Sequence, residues 1–142
     1  MKEMKVKKVF AQQHGDERGQ LAVLEEKKEI PFEVKRVYYI YDTLEGVHRG
    51  GHAHKSLKQL LICVHGSCKV WLDNGEDKKE VLLDKPNEGI YIEGGIWREM
   101  YDFSLDAVFL VLASEIYDEA EYIRDYDEFL KFVKGFGYIE GV

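Results

Sequence analysis

The fold is indicated first by one stretch of the chain, Gly46-Val-His-Arg-Gly-Gly-His52-Ala-His54-Lys-Ser-Leu-Lys-Gln59-Leu-Leu-Ile-Cys-Val-His-Gly66. Side chains alternate between the two faces of a β-strand, so His52 and His54 are expected to point to the same face. Strand histidines are often structural. This pair is surrounded by small and basic residues, and Gly on a strand lets a ligand approach the backbone. The stretch therefore favours a functional site on a strand.

A second stretch, Gly95-Ile-Trp-Arg98-Glu-Met-Tyr-Asp102, follows further along the chain. The two stretches resemble the two conserved motifs of the cupin family, which are small jelly-roll barrels. Gln59 stands where the first motif usually has Glu, and Arg98 stands where the second usually has His. The resemblance implies an all-β fold, a cupin jelly-roll barrel.

The same two substitutions argue against a metal centre. A metal-binding cupin supplies two His and one Glu from its first motif and one His from its second. Here only His52 and His54 remain, because an arginine stays protonated and cannot ligate a cation. Catalytic zinc and non-haem iron usually have three protein ligands. We expect no metal; Arg98 suits an oxyanion, and Gln59 can orient a hydroxyl.

The rest of the chain supports a barrel followed by a helix. About ten short strands separated by turn signals are predicted over residues 5–115, with His14–Gly19 as a loop. In the predicted strand Val34–Tyr41, Val37, Tyr39 and Tyr41 would share one face. Apolar residues spaced by three and four predict a short C-terminal α-helix over residues 125–134. Residues 1–142 form one cupin domain in this interpretation, and residues 135–142 receive no assignment.

Composition and charge exclude several classes of protein. The chain has 142 residues, 27 acidic against 20 basic ones and a formal net charge of −7 at pH 7. This balance argues against a broad nucleic-acid surface, which needs clustered cations. The longest apolar run, Leu60–Val64, is too short to span a membrane. The N-terminus lacks a signal peptide's apolar stretch, and Cys63 and Cys68 make no disulfide framework, so we expect a cytoplasmic protein.

Several further motifs narrow the resemblance, over roughly residues 5–133. They are Asp16-Glu-Arg18-Gly19-Gln-Leu, Ile30-Pro-Phe32, Lys35-Arg36-Val-Tyr-Tyr-Ile, Gly66-Ser-Cys-Lys-Val and Tyr117-Asp-Glu-Ala-Glu-Tyr-Ile-Arg124. Together they resemble the dTDP-4-keto-6-deoxyglucose 3,4-ketoisomerases, also called sugar nucleotide 3,4-oxoisomerases. That family implies a dTDP-linked keto-deoxy sugar as substrate and a homodimer with exchanged strands.

The resemblance also implies a mechanism. Family members move a keto group from C4 to C3 of the sugar through an enediol. No cofactor is needed, since oxidation at C3 is matched by reduction at C4. His titrates near neutral pH and suits the proton transfers. We expect His54 as the main proton shuttle and His52 as its partner, with the reverse order left open. Tyr39 is either a donor to the substrate carbonyl or a core aromatic residue.

The remaining candidates bind the substrate. Cations for the pyrophosphate are expected among four residues that alone would be ordinary solvated charges, Arg18, Arg36, Arg49 and Lys55. The product would serve the synthesis of 3-amino sugars for lipopolysaccharide, S-layer glycans or glycosylated metabolites. Three alternatives remain: a dTDP-sugar 3,5-epimerase, a metal-dependent cupin enzyme and a non-catalytic sugar-binding cupin.

Overall fold

A computed structural model describes residue 4 and residues 6–135 of the chain. These residues contain twelve strands, one α-helix and a single 3-10 turn at Glu119–Glu121. The strands and the helix are β1 Val6–Phe10, β2 Gln12–Asp16, β3 Gly19–Val23, β4 Arg36–Ile40, β5 Arg49–His54, β6 Gln59–His65, β7 Cys68–Asp73, β8 Lys78–Leu83, β9 Glu88–Ile92, β10 Trp97–Tyr101, β11 Val108–Ala113, β12 Tyr122–Ile123 and α1 Tyr126–Lys134.

Two five-stranded antiparallel sheets form the body of the fold. Their strand orders are β1-β9-β6-β11-β4 and β12-β5-β10-β7-β8. Apolar side chains from both sheets meet in a buried core that includes Leu61, Val70, Ile90 and Phe109. Antiparallel sheets packed face to face in this way bury the inward side chains of each strand. The predicted cupin jelly roll is confirmed.

The N-terminal hairpin is the largest departure from the prediction. Residues 14–19 were expected to form a loop, but β2 and β3 pair from Gln12↔Val23 to Asp16↔Gly19 as a separate two-stranded sheet. Nearly all its residues are exposed, so the alternation of buried and polar positions that marks a strand is missing there. The hairpin is defined by its backbone pairing and by a side-chain hydrogen bond from Gln13 Nε2 to Gln20 Oε1 at 3.1 Å.

The C-terminal helix follows the prediction closely. Its N-cap, Asp125, accepts a hydrogen bond from the backbone N–H of Glu128, and Gly135 ends the helix in a left-handed conformation. The buried Phe129 packs against Ala53 and Trp97, behind the strand that carries the two histidines. Residues 136–142 lie outside the described part of the chain. No helix in the described residues is both long and apolar enough to cross a membrane.

Candidate active site

The two histidines singled out from the sequence lie on β5, between two strands that supply their neighbours. His52 is paired with Arg98 of β10, and His54 is paired with Tyr122 of β12. Residues directly opposite each other in an antiparallel pair project to the same face. The strand pairing therefore brings both imidazoles, one guanidinium and one phenol together.

A glycine allows β10 to approach β5 at this point. Gly50 has a φ of 86°, and a Cβ at that position would lie 2.8 Å from the carbonyl oxygen of Arg98. The register of the two strands shifts between Arg98 and Glu99, opposite this glycine. The missing side chain of Gly50 makes room for the backbone of β10, and the expectation that glycine also lets a ligand approach stays a prediction. Beside it, Gly51 faces open space.

Arg98 is a buried cation, and no acidic side chain among the described residues is paired with it. It is 2% exposed; its Nη1 donates to Gln59 Oε1 at 2.5 Å and its Nε to the Ile96 carbonyl at 3.2 Å. Its Nη2 has no partner among the described residues. Burial lowers the pKa of Arg98 to about 10, so it remains a cation at neutral pH. An unpaired N–H of this kind is prepared for an oxygen of a ligand.

The two imidazoles are neutral at physiological pH. Burial first, and then the charge of Arg98, lower the pKa of His52 to about 4 and hold that of His54 well below its usual value. His54 is fully buried, and neither of its ring nitrogens finds a partner in the described chain. Neutral imidazoles beside a cation are proton acceptors next to a group that stabilises negative charge.

A cavity of about 280 Å³ opens onto this constellation. Three arginines line it, Arg36, Arg49 and Arg124, together with His52 and Tyr122. The Nε atom of Arg36 is buried without a partner in the described residues. Guanidinium groups therefore line the cavity together with an imidazole and a phenol, and this combination suits an anionic, oxygen-rich ligand.

Comparisons with known proteins agree with this chemistry. The family model FdtA: WxcM-like, C-terminal, matches residues 3–134. The chain belongs to this family. A TDP-4-oxo-6-deoxy-alpha-D-glucose-3,4-oxoisomerase from Aneurinibacillus thermoaerophilus is 53% identical over 118 residues, which are 83% of this chain and 85% of that relative.

Solved structures of sugar 3,4-ketoisomerases superpose closely on the chain. One from Helicobacter canadensis is 52% identical, with a TM-score of 0.90 over 93% of this chain and 99% of the other. A histidine-to-asparagine variant of QdtA from Thermoanaerobacterium thermosaccharolyticum, solved in complex with TDP-4-keto-6-deoxyglucose, is 43% identical, with a TM-score of 0.89 over 92% and 94%. The FdtA-family chain described here is therefore an isomerase of the 3,4-ketoisomerase type.

Tyr39 does not lie at the site of this ketoisomerase chain. Val37, Tyr39 and Tyr41 do share one face of β4, as predicted, but that face is the outer one, and Tyr39 is 58% exposed. The period of two places Arg36 and Tyr38 on the inner face. Tyr38 lines the cavity, and its hydroxyl oxygen accepts a hydrogen bond from Gln59 Nε2 at 3.2 Å.

Two predicted cations also lie elsewhere in the family fold. Arg18 sits in the β2–β3 turn, where its side chain is 86% exposed and is paired with Asp16 at 2.6 Å. Lys55 is exposed just after β5 and is not among the described residues that line the cavity. The sequence analysis did not select Tyr122 and Arg124 as site residues, although it quoted the motif from Tyr117 to Arg124 that contains both. Tyr122 lies in a strand of two residues, which is too short to show any alternation, and Arg124 follows that strand.

Proposed function

We propose that the protein converts dTDP-4-keto-6-deoxyglucose to a dTDP-3-keto-6-deoxyhexose by proton transfer through an enediol. One observation supports the chemistry above all others. A buried arginine with an unpaired N–H lies beside two neutral imidazoles, so acid–base groups and an oxyanion partner adjoin the cavity that His52 lines. The names of the relatives support the choice of sugar.

The proton transfers follow from this arrangement. His52, which lines the cavity, removes the proton from C3, and the electrons of that bond form the C3=C4 double bond. The former carbonyl oxygen at C4 becomes an oxyanion, which the free N–H of Arg98 stabilises. The C3 hydroxyl then passes its proton to the C4 oxygen, and the protonated His52 returns a proton to C4, which leaves a ketone at C3 and a hydroxyl at C4. His54 is buried more deeply than His52, so we assign it the role of partner in the proton transfers. This assignment reverses the order of the two histidines that was expected from sequence.

Tyr38 takes the role that the sequence analysis gave to Tyr39. The amide of Gln59 donates to the Tyr38 oxygen, while the Gln59 carbonyl oxygen accepts from Arg98. A hydroxyl whose oxygen already accepts a hydrogen bond keeps its proton for another acceptor. Tyr38 is therefore our candidate donor to a substrate oxygen, and Gln59 sets its direction.

The arginines of the cavity are our candidates for the pyrophosphate. Arg36 and Arg49 line the cavity, and a planar guanidinium bonds phosphate oxygens in pairs. The guanidinium carbon of Arg36 lies 5.4 Å from the centroid of the Tyr38 ring. Lys55 remains a proposal for the outer part of the nucleotide.

We further propose a homodimer with exchanged strands. A two-stranded hairpin is marginally stable alone, and the β2–β3 hairpin exposes Leu21 to 58%. The edge strand β4 carries its own exposed apolar face at Val37 and Tyr39. Docking these surfaces between two copies buries both and brings Arg18 to a partner subunit. Light scattering is expected to give twice the chain mass; a monomer at micromolar concentration would contradict the proposal.

The cellular role follows from the product. A 3-keto sugar nucleotide is suited to amination at C3, so we propose that the enzyme supplies an aminotransferase in deoxyamino-sugar synthesis for lipopolysaccharide or S-layer glycans. Its two buried free thiols, Cys63 and Cys68, fit the reducing environment of the cytoplasm.

The test is incubation with dTDP-4-keto-6-deoxyglucose in D2O, followed by NMR of the sugar. The proposal expects a ketone at C3, deuterium at C4 and a C4 configuration that the coupling constants define. Label at C3 and C5 with the ketone still at C4 identifies a 3,5-epimerase instead. Tight dTDP-sugar binding without turnover identifies a binding module, and activity lost with EDTA and restored by Fe or Mn identifies a metal enzyme.

A further inference from the structure

His54 lacks the contact that usually orients a catalytic imidazole. In most sites, one ring nitrogen is hydrogen-bonded to a carboxylate or carbonyl, which fixes the tautomer and the direction of the ring. Both nitrogens of His54 are buried, and neither has a hydrogen-bond partner within the described chain. Packing must therefore fix the orientation of this ring.

The ring of Tyr122 provides that packing. Its centroid lies 4.4 Å from that of His54, at an interplanar angle of 63°, and 5.0 Å from that of His52, at 51°. The two imidazoles are themselves 4.9 Å apart and nearly perpendicular. Each ring of this three-membered cluster, His52, His54 and Tyr122, thus meets the other two at an angle that restricts rotation about its own side-chain bond.

Tyr122 is held in turn by an ion pair. The guanidinium carbon of Arg124 lies 4.4 Å from the centroid of the Tyr122 ring. Two nitrogens of Arg124 donate to the two carboxylate oxygens of Glu119, at 2.8 and 2.9 Å, and the Tyr117 hydroxyl is bonded to the same carboxylate. A bidentate pair fixes the plane of the guanidinium. The cation therefore holds the phenol ring against the imidazoles.

We propose that Tyr122 is a positioning residue of the isomerase: its ring, backed by Arg124 and Glu119, holds His52 and His54 in the geometry for proton transfer. This inference rests on the proposed function, because it assumes that these imidazoles move the protons. Packing orients them without placing a carboxylate against His54. The charged and phenolic groups around the pair are Arg36, Arg98, Arg124, Glu119, Tyr38 and Tyr122.

Two substitutions at position 122 test the proposal. Tyr122→Phe keeps the ring and is expected to retain kcat within about threefold. Tyr122→Leu removes the ring and is expected to lower kcat about 100-fold, since a misplacement of about 1 Å costs that much. The affinity for dTDP is measured in both variants, because Tyr122 lines the cavity, and the loss is expected in kcat at saturating substrate. Tyr101→Leu is the matched control, because Tyr101 stacks on His48 outside the site, at 4.9 Å.

The second measurement is 15N NMR of the imidazoles, which needs no turnover. The wild type and Tyr122→Phe are expected to show sharp signals from one tautomer at each site histidine. Tyr122→Leu is expected to show averaged or broadened signals from the same histidines. If Tyr122→Leu does not fold, Arg124→Met replaces it, with a smaller expected loss in kcat, about 10-fold, and the same broadening.

Three results would overturn the proposal: wild-type kcat in the Leu variant, equal losses in the Phe and Leu variants, or unchanged histidine signals without the ring. The equal losses would assign the effect to the hydroxyl. An inactive wild-type protein contradicts the proposed function instead, and the NMR comparison then still decides the positioning role.

Discussion

Replacement of Arg98 by methionine separates catalysis from stability. Burial lowers the pKa of Arg98 from 12.5 to about 10. At about 1.4 kcal/mol per tenfold change, keeping this side chain charged costs the fold on the order of 3 kcal/mol. Arg98→Met removes that cost, but it leaves Gln59 Oε1 and the Ile96 carbonyl without a donor, at roughly 1–3 kcal/mol for each buried acceptor. The two contributions nearly cancel.

The variant is therefore expected to fold about as stably as the wild type. We expect its free energy of unfolding to lie within about 2 kcal/mol of the wild-type value, since buried charges can often be replaced by apolar groups without loss. Its kcat should fall about 100- to 1,000-fold, the usual effect of removing one donor to a developing oxyanion. Urea denaturation and the NMR assay of the keto sugar measure the two quantities.

The matched control is Lys69→Met on the neighbouring strand β7, because Lys69 is an accessible cation paired with Asp102 at 3.1 Å. It should change neither quantity appreciably. The reasoning fails if Arg98→Met unfolds several kcal/mol more easily while kcat stays within threefold of the wild type. That outcome would make Arg98 a structural cation whose neutral partners compensate its burial.

Three other variants or conditions test the remaining parts of the site. His52→Asn should abolish the exchange of the C3 proton in D2O, whereas His54→Asn should slow product formation more than exchange; the opposite pattern would restore the order expected from sequence. The acidic limb of kcat/KM should lie near pH 4, well below the ordinary histidine value of 6.5, because burial lowers the pKa of His52. The unfolded chain binds more protons between these pH values, so stability should also fall as pH drops from 6.5 towards 4, and less so in His52→Asn. Gly50→Ala should lower both stability and activity clearly more than Gly51→Ala, as measured by thermal unfolding and by turnover. Both glycines have positive φ, but only at Gly50 would a Cβ contact the backbone too closely. Equal effects of the two substitutions would show that the close approach of β10 is unimportant.

Much of the barrel could be predicted from sequence, because its central strands carry the pattern that burial requires. β6 runs over the predicted Gln59–His65, and the helix ends at the predicted residue with its glycine cap. β2 and β12 were missed for one physical reason. Pairing with a neighbouring strand defines each of them, and neither segment is long or apolar enough to show its own periodicity.

The tyrosine error has a different origin. The period of two correctly separated the faces of β4, but the apolar face, with Val37 and Tyr39, points outward, while the face with Arg36 points into the barrel. A strand beside a functional cavity reverses the usual rule that the apolar face is the buried one. Local rules of sequence tend to fail at such sites, where chemistry rather than burial selects the residues.

The chain as a whole and its cavity carry charges of opposite sign. An excess of acidic residues gives the protein a formal net charge of −7, yet the ionised side chains that line the cavity are Arg36, Arg49 and Arg124, with Arg98 beside them. Such a cavity attracts a diphosphate, while burial first, and then the charges of Arg98 and Arg124, keep His52 unprotonated. In the proposed reaction, the positive charge that His52 gains with the C3 proton appears beside the enediolate, which offsets the repulsion from Arg98. The histidine is thus a weak base in the free enzyme and a stronger one as the negative charge develops.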